Sequence, residues 1–184
     1  MIYDLPESVE LDGKEYAIRS DFRAILGIIE ILNDLELTEQ ERGFLSLLLF
    51  YKEFDDIPIM LYQEAIDKMM WFINYGDNTA HDENPPKLMD WEKDYPVIIA
   101  PVNRVLGHDA RTEKHLHWWT FLGAYMEIGD CTFAQIVSIR NKLRKGEQLD
   151  KSDREWYNKN KNLVDMEQSY TSEEMELLEK WGGK

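Results

Sequence analysis

The sequence has few of the features that mark secretion or membrane insertion. Cys131 is the single cysteine, so an intramolecular disulfide is impossible, which fits a reducing compartment. The longest apolar run, Phe44–Tyr51, is interrupted by Ser46 and is far shorter than the ~18 residues of a membrane span. No basic stretch followed by an apolar run opens the chain, so we expect no signal peptide. These absences predict a cytoplasmic protein without a membrane span.

Motifs of catalysis and cofactor binding are also missing. There is no phosphate-binding glycine loop, no dinucleotide fingerprint, no H-E-x-x-H and no calcium loop. His115 and His117 are two residues apart, so on a helix they point in different directions and cannot share a metal. We interpret one of them as a helix-start residue with its imidazole bonded to the backbone. Cys131 has no local base to activate it, and we expect a small buried residue. The sequence therefore predicts no enzyme, no cofactor and no metal.

Basic charge is scarce. The chain carries 36 acidic and 21 basic residues, a net charge of −15, which repels phosphate backbones and anionic membrane surfaces. We therefore expect neither nucleic acid nor membrane as a partner. The charge is uneven: residues 1–80 carry 17 acidic and 6 basic groups, whereas residues 140–163 carry 8 basic and 4 acidic groups. Two interpretations stay open, namely self-association between regions of opposite sign, or ordinary solvated helix faces.

Hydrophobic periodicity predicts a mainly α fold, an irregular multi-helix bundle with one small N-terminal β-hairpin, in a single domain over residues 1–184. The hairpin is expected at about 8–19, where apolar residues alternate around Asp12-Gly13, a pair that suits a type I′ turn. A long polar loop is expected at about 74–88, and a C-terminal helical tail at about 164–184.

Helix patterns fill most of the remaining chain. Thr38 and Glu41 form a capping box that begins a helix running to about Phe54. Pro96 and Pro101 fall inside another predicted helix, where we expect a kink or a break because proline removes a backbone donor. The predicted helices begin near residue 22 and then cover 38–54, 60–73, 90–106, 115–128, 133–143 and 151–162, with a short C-terminal helix opened by a second capping box at Thr171 and Glu174.

Aromatic residues are abundant for a chain of this size. They make up 12% of the sequence and include 6 Trp, two of them in the adjacent pair Trp118-Trp119. Neighbours on a helix diverge by about 100°, so a small core has difficulty absorbing both members of such a pair. One interpretation is a well-filled core, and the other places some of these rings at protein–protein contacts. For the second, we predict the interaction residues Phe44, Leu48, Tyr51, Trp71, Trp118 and Trp119.

Three segments carry a resemblance to a known family. The opening LPESVELDGKEYAIRSDFRAIL, then HWWTFLGAY, then IVSIR followed by a basic segment ending in WYNKNK, resemble the bacteriophage gene product fifteen family. That family comes from long-tailed phages and prophages of Gram-positive bacteria. The resemblance covers roughly residues 5–163, and its most specific parts are 5–22, His117-Trp118-Trp119-x-Phe121 and 136–140.

The resemblance implies a protein of the phage tail region. Proteins encoded beside the tape-measure gene commonly act as tail assembly chaperones. The implied partners are the tape-measure protein and the major tail-tube protein, met in the host bacterial cytoplasm. The alternative is a structural tail-completion or head–tail connector component that is retained in the virion.

Overall fold

A two-stranded antiparallel hairpin begins the described chain. The computed structural model describes residues 4–77 and 88–166, which separate into two compact units at this gap. Strands β1 (Ser8–Leu11) and β2 (Lys14–Ala17) pair with Val9 opposite Tyr16. Asp12 and Gly13 have φ values of 45° and 76°, which confirms the predicted turn because a type I′ turn needs positive φ at both positions.

Three helices complete the first unit. They are α1 (Phe22–Asn33), α2 (Glu39–Phe50) and α3 (Tyr62–Ile73), with short 3₁₀ turns at Phe54–Asp56 and Ile59–Leu61. The predicted capping box is present: the Glu41 carboxylate accepts from the Thr38 N–H at 2.9 Å, and the Thr38 hydroxyl accepts from the Glu41 N–H at 3.3 Å. The side chains buried most deeply in this unit include Leu11, Ile18, Phe22, Ile25, Leu47, Phe50 and Phe72.

Helix α2 is shorter than predicted. It ends at Phe50 and not near Phe54, because Tyr51 is extended and forms a β-bridge with Ile18. The Arg19 guanidinium donates to the backbone carbonyls of Leu48 and Leu49 at 3.2 and 3.0 Å, so a side chain from the hairpin satisfies carbonyls that the ending helix leaves unpaired.

The second unit contains α4 (Trp91–Leu106), α5 (Trp118–Met126), α6 (Thr132–Arg144), α7 (Lys151–Lys159) and α8 (Lys161–Val164). Of the kink or break predicted in α4, the break is wrong, since the helix continues through Pro96 and Pro101. Each proline removes one donor, but the helix is capped by Asp90 and Gly107, and it buries an apolar face. That packing offsets the lost bonds.

Two further boundaries differ from the prediction. Helix α5 begins at Trp118 and not His115, because His117 caps it: the His117 Nδ1 accepts from the Trp119 N–H at 3.0 Å. The segment predicted as one helix over 151–162 is divided at Asn160, which ends α7 and begins α8. Together α6 and α8 contribute Ile136, Ile139 and Val164 to a buried cluster with Leu149.

The predicted class, mainly α with one small N-terminal hairpin, is confirmed. None of the helices in residues 4–77 and 88–166 combines the length and apolar character that crossing a membrane requires. Residues 78–87 of the predicted loop at 74–88 lie outside the described residues, as do residues 167–184 of the predicted tail at 164–184, including Thr171 and Glu174. The single-domain assignment stays a prediction.

Candidate functional site

The outer side of α2 carries two large apolar side chains in contact with solvent. Phe44 is 47% exposed and Leu48 is 46% exposed. They are four residues apart and therefore lie on the same side of the helix. The same helix buries Ser46, Leu47 and Phe50 on its other side. Thus α2 has an inward stripe that fills the core and a second apolar stripe that does not.

A row of aromatic rings supports Phe44. Its ring meets the ring of Phe54 edge-on, with centroids 5.3 Å apart, and Phe54 in turn lies 5.3 Å from the Tyr62 ring. Phe54 is buried, so it fixes the exposed ring from behind. Edge-to-face pairs of this kind contribute about 0.5–1.5 kcal/mol beyond the area they bury. Phe44 is therefore held in an exposed position.

The 3₁₀ turn before α3 presents two more apolar side chains. Ile59 is 80% exposed and Met60 is 87% exposed. The turn follows Pro58, whose carbonyl accepts from the Leu61 N–H at 2.9 Å, and it leads directly into Tyr62. We use the name apolar face for four exposed side chains of the first unit, Phe44 and Leu48 on α2 with Ile59 and Met60 on the turn before α3. Fully burying one such side chain stabilises by about 1.5–3 kcal/mol, so leaving four in water is costly unless a partner covers them.

Acidic residues accompany the apolar face in the chain. Glu53, Asp55 and Asp56 are exposed in the segment that joins α2 to the Pro58 turn. At the start of α2, hydrogen bonds from Thr38, chiefly its backbone N–H, lower the pKa of Glu41, which keeps this carboxylate ionised. An apolar surface with carboxylates around it favours a partner with apolar anchors and basic flanks.

Two of the predicted interaction residues lie in the core. Tyr51 is fully buried, and its hydroxyl donates to the Ala65 carbonyl at 3.0 Å. Burial, with a smaller effect from the charge of Glu64, raises the pKa of Tyr51 well above its ordinary value. Trp118 is 1% exposed and stacks on Phe121 at 5.9 Å. Neither side chain is accessible to a partner protein.

The remaining two predicted residues are half-buried. Trp71 lies on α3 and lines a groove beside β1. Trp119 lies on α5, with its ring 6.2 Å from the imidazole of His117. The interpretation of a helix-start histidine bonded to the backbone is confirmed for His117. Of the six predicted residues, the structure places only Phe44 and Leu48 side by side on an exposed face.

Two buried charged residues, Arg140 and Asp94, were not predicted from the sequence. Arg140 is 5% exposed, and all five of its guanidinium N–H groups have acceptors. It forms a two-pronged ion pair with the buried Asp94, at 2.6 and 2.9 Å. Its other bonds go to the carbonyls of Leu88, Leu163 and Val164, at 3.1, 2.7 and 2.8 Å. Arginine at a core-facing position of an amphipathic helix, four residues after Ile136, was the available signal.

The Arg140 network is structural in character. Asp94 also accepts from the Asp90 N–H at 2.9 Å, so the pair is enclosed by its own unit. Cys131 caps α6, with its sulfur accepting from the Ala134 N–H at 3.5 Å. Within the described ranges, no group of three or more His, Cys, Asp or Glu side chains is placed to hold a metal ion.

Comparison with known proteins identifies the family of this chain. Residues 1–166 match the family model described as Bacteriophage Gp15 protein, so the chain belongs to this bacteriophage family. The predicted resemblance is confirmed. Membership indicates a phage structural or assembly protein. No curated protein and no solved structure matches the chain.

The segments that carry the resemblance have structural tasks. Residues 5–22 form the hairpin and start α1. His117 caps α5, while Trp118 and Phe121 fill the core of the second unit. The third segment ends at Arg140, which joins α6 to α4 and α8. These three segments therefore hold the fold together, and Phe44, Leu48, Ile59 and Met60 lie between the first and the second of them, within the matched residues 1–166.

Proposed function

We propose that the protein is a phage tail assembly chaperone that binds an amphipathic helix of the tape-measure protein on its apolar face. The observation that carries this proposal is the exposure of Phe44, Leu48, Ile59 and Met60 beside exposed carboxylates. Grooves and faces that accept amphipathic helices use such apolar anchors, and polar surroundings give them register. The family resemblance supplies the identity of the client.

The rest of the proposal follows from the same role. The protein acts by reversible binding and catalyses no reaction, and it requires no cofactor. It works in the host bacterial cytoplasm, recruits tail-tube subunits to the covered client, and associates with copies of itself along that client. Its net charge of −15 keeps nucleic acid and anionic membranes from competing.

Co-expression with the tape-measure protein of the same genome tests this function. The informative variant is Ile59→Ser/Met60→Ser, because these highly exposed side chains contribute little to the core. The matched control is Val105→Ser/Met126→Ser, which removes exposed apolar side chains, 40% and 59% exposed, from the second unit. We expect the unsubstituted protein and the control to keep the client soluble, and the Ile59/Met60 variant to lose most of this effect.

Two results would overturn the proposal. In the first, the unsubstituted protein leaves the client's solubility unchanged. In the second, the protein is found at fixed stoichiometry in purified virions, which favours a tail-completion or connector component, since a chaperone leaves before maturation.

A further inference from the structure

The outer edge of β1 presents backbone N–H and C=O groups that the described residues do not pair. In a hairpin with a two-residue turn, the residues flanking the turn, here Leu11 and Lys14, exchange backbone bonds, and every second pair does the same. The Ile18 N–H, which donates to the Glu7 carbonyl at 3.0 Å, continues that alternation. The N–H and C=O groups of Ser8 and Glu10 therefore point away from β2. In the described part of the chain they meet no hydrogen-bond partner.

A groove runs along this edge. It has a volume of about 420 Å³, and α3 forms its other wall. The α3 residues that line it follow a helical spacing of three or four positions, so they share one face of the helix. The residues that matter here are Ser8, Glu10, Glu64, Asp67, Lys68 and Trp71. The two walls are joined at one end, where the Asp12 N–H donates to the Glu64 carboxylate at 3.3 Å.

The charge of the groove selects the occupant. Glu10, Glu64 and Asp67 contribute three carboxylates against the single ammonium of Lys68. An acidic groove disfavours pairing of two β1 edges from two copies, because Glu10 would face carboxylates of the other copy. It favours a segment rich in lysine or arginine. Trp71 adds an aromatic wall, against which a cation can also be stabilised.

We propose that the outer edge of β1 is a strand-addition site for an extended, basic segment of a partner protein. The segment would pair with the outward groups of Ser8 and Glu10 and would extend the two-stranded sheet to three strands. Main-chain bonds provide the affinity in this mode of recognition, and alternate side chains provide the specificity. Basic side chains would meet Glu64 and Asp67. The site is separate from the apolar face and does not depend on the proposed function.

A pair of proline variants provides the test. Glu10→Pro removes an outward N–H from the edge of β1, whereas Glu15→Pro removes the outward N–H of the residue directly opposite, on β2. Both variants lose one carboxylate and gain one proline, but only Glu10 lines the groove. Glu10→Gln, which removes the same charge and keeps the N–H, is therefore the control for charge and should weaken binding clearly less than Glu10→Pro does. The probe is a fluorescent peptide of alternating lysine and valine, and the readout is fluorescence anisotropy. A peptide with glutamate in place of lysine is the charge control.

We expect Glu10→Pro to weaken binding of the lysine peptide about tenfold, and Glu15→Pro to change it less than about twofold. The glutamate peptide should not bind. In the unsubstituted protein, the backbone amides of Ser8 and Glu10 should gain protection from hydrogen exchange when the peptide is added, a measurement that does not depend on the folding of any variant.

The outcomes separate this site from the apolar face. The Ile59→Ser/Met60→Ser variant should bind the lysine peptide as the unsubstituted protein does. Equal weakening by Glu10→Pro and Glu10→Gln would overturn the proposal, because it would indicate charge attraction without strand pairing. Unchanged exchange of the Ser8 and Glu10 amides at saturating peptide would overturn it as well.

Discussion

Removing either member of the buried pair Arg140–Asp94 should destabilise the second unit strongly, and removing both should cost less than the two losses added together. The two side chains are 46 residues apart in sequence and exchange two bonds, at 2.6 and 2.9 Å. The side chain of Arg140 is 4% exposed and that of Asp94 is 2% exposed. Both charges are therefore shielded from water, and each depends on the other for compensation.

The magnitude follows from what each variant leaves behind. Arg140→Met leaves the Asp94 carboxylate with the Asp90 N–H and removes the donor from three backbone carbonyls. Breaking a buried pair from one side costs about 3–5 kcal/mol, and this variant should lie at the upper end. Asp94→Leu leaves the buried guanidinium without a counter-ion but keeps its three bonds to carbonyls. We therefore expect the free energy of unfolding to fall by about 3 kcal/mol. The double variant leaves no unpaired buried charge. We therefore expect a coupling energy between Arg140 and Asp94 of about 2–4 kcal/mol.

Urea denaturation followed by far-ultraviolet circular dichroism measures this cycle. Arg140→Lys provides a milder variant should Arg140→Met fail to fold, since lysine keeps the charge but cannot form the two-pronged contact. Amide exchange adds a local readout: loss of Arg140 should expose the amides of α8 before those of α4, because its bonds to Leu163 and Val164 hold the short helix. A coupling energy near zero, with α8 equally protected in all variants, would refute the reasoning.

Two further predictions concern backbone conformation and a helix cap. Gly27→Ala should raise the free energy of unfolding by about 0.5–1 kcal/mol, because a Cβ there meets Leu49 at an ordinary 3.5 Å, whereas Gly107→Ala should lower it by about 1 kcal/mol because φ is +79°. Thermal denaturation of both variants checks this, and a less stable Gly27→Ala contradicts it. Thr38→Ala should raise the lowered pKa of Glu41 only part of the way toward its ordinary value of 4.5, because the variant loses the hydroxyl bond but keeps the backbone N–H, which is the larger cause; carbon-detected NMR titration measures it. The pKa of Glu41 is lower in the folded than in the unfolded state. The stabilisation by the cap is therefore fully present above pH 4.5 and is lost as the pH falls through the lowered pKa. An unchanged Glu41 pKa in the variant argues against the capping box.

The candidate site could be predicted only in part. Phe44 and Leu48 were predicted as interaction residues, and both are exposed. Tyr51 belongs to the same run, but the backbone turns at that residue and carries its ring into the core. Ile59 and Met60 belong to a short turn, where periodicity gives no information about direction, so their exposure was not foreseen.

Local chemistry is what the sequence by itself determined. The hairpin turn at Asp12-Gly13, the capping box at Thr38 and a histidine bonded to the backbone near the start of α5 each depend on residues at most three positions apart. Such bonds form whatever the rest of the chain does, so they can be predicted from neighbours alone.

Only the tertiary structure decided which apolar residues are covered and which polar residues are buried. In the sequence, Arg140 is one of several basic residues in a segment that could be solvated. In the structure, Asp94 and three carbonyls from distant residues surround its guanidinium. The unused edge of β1 likewise became visible only when α3 formed the other wall of its groove. The burial of a side chain and the pairing of its charge depend on contacts with residues that are distant in sequence. The order of residues along the chain does not by itself specify those contacts.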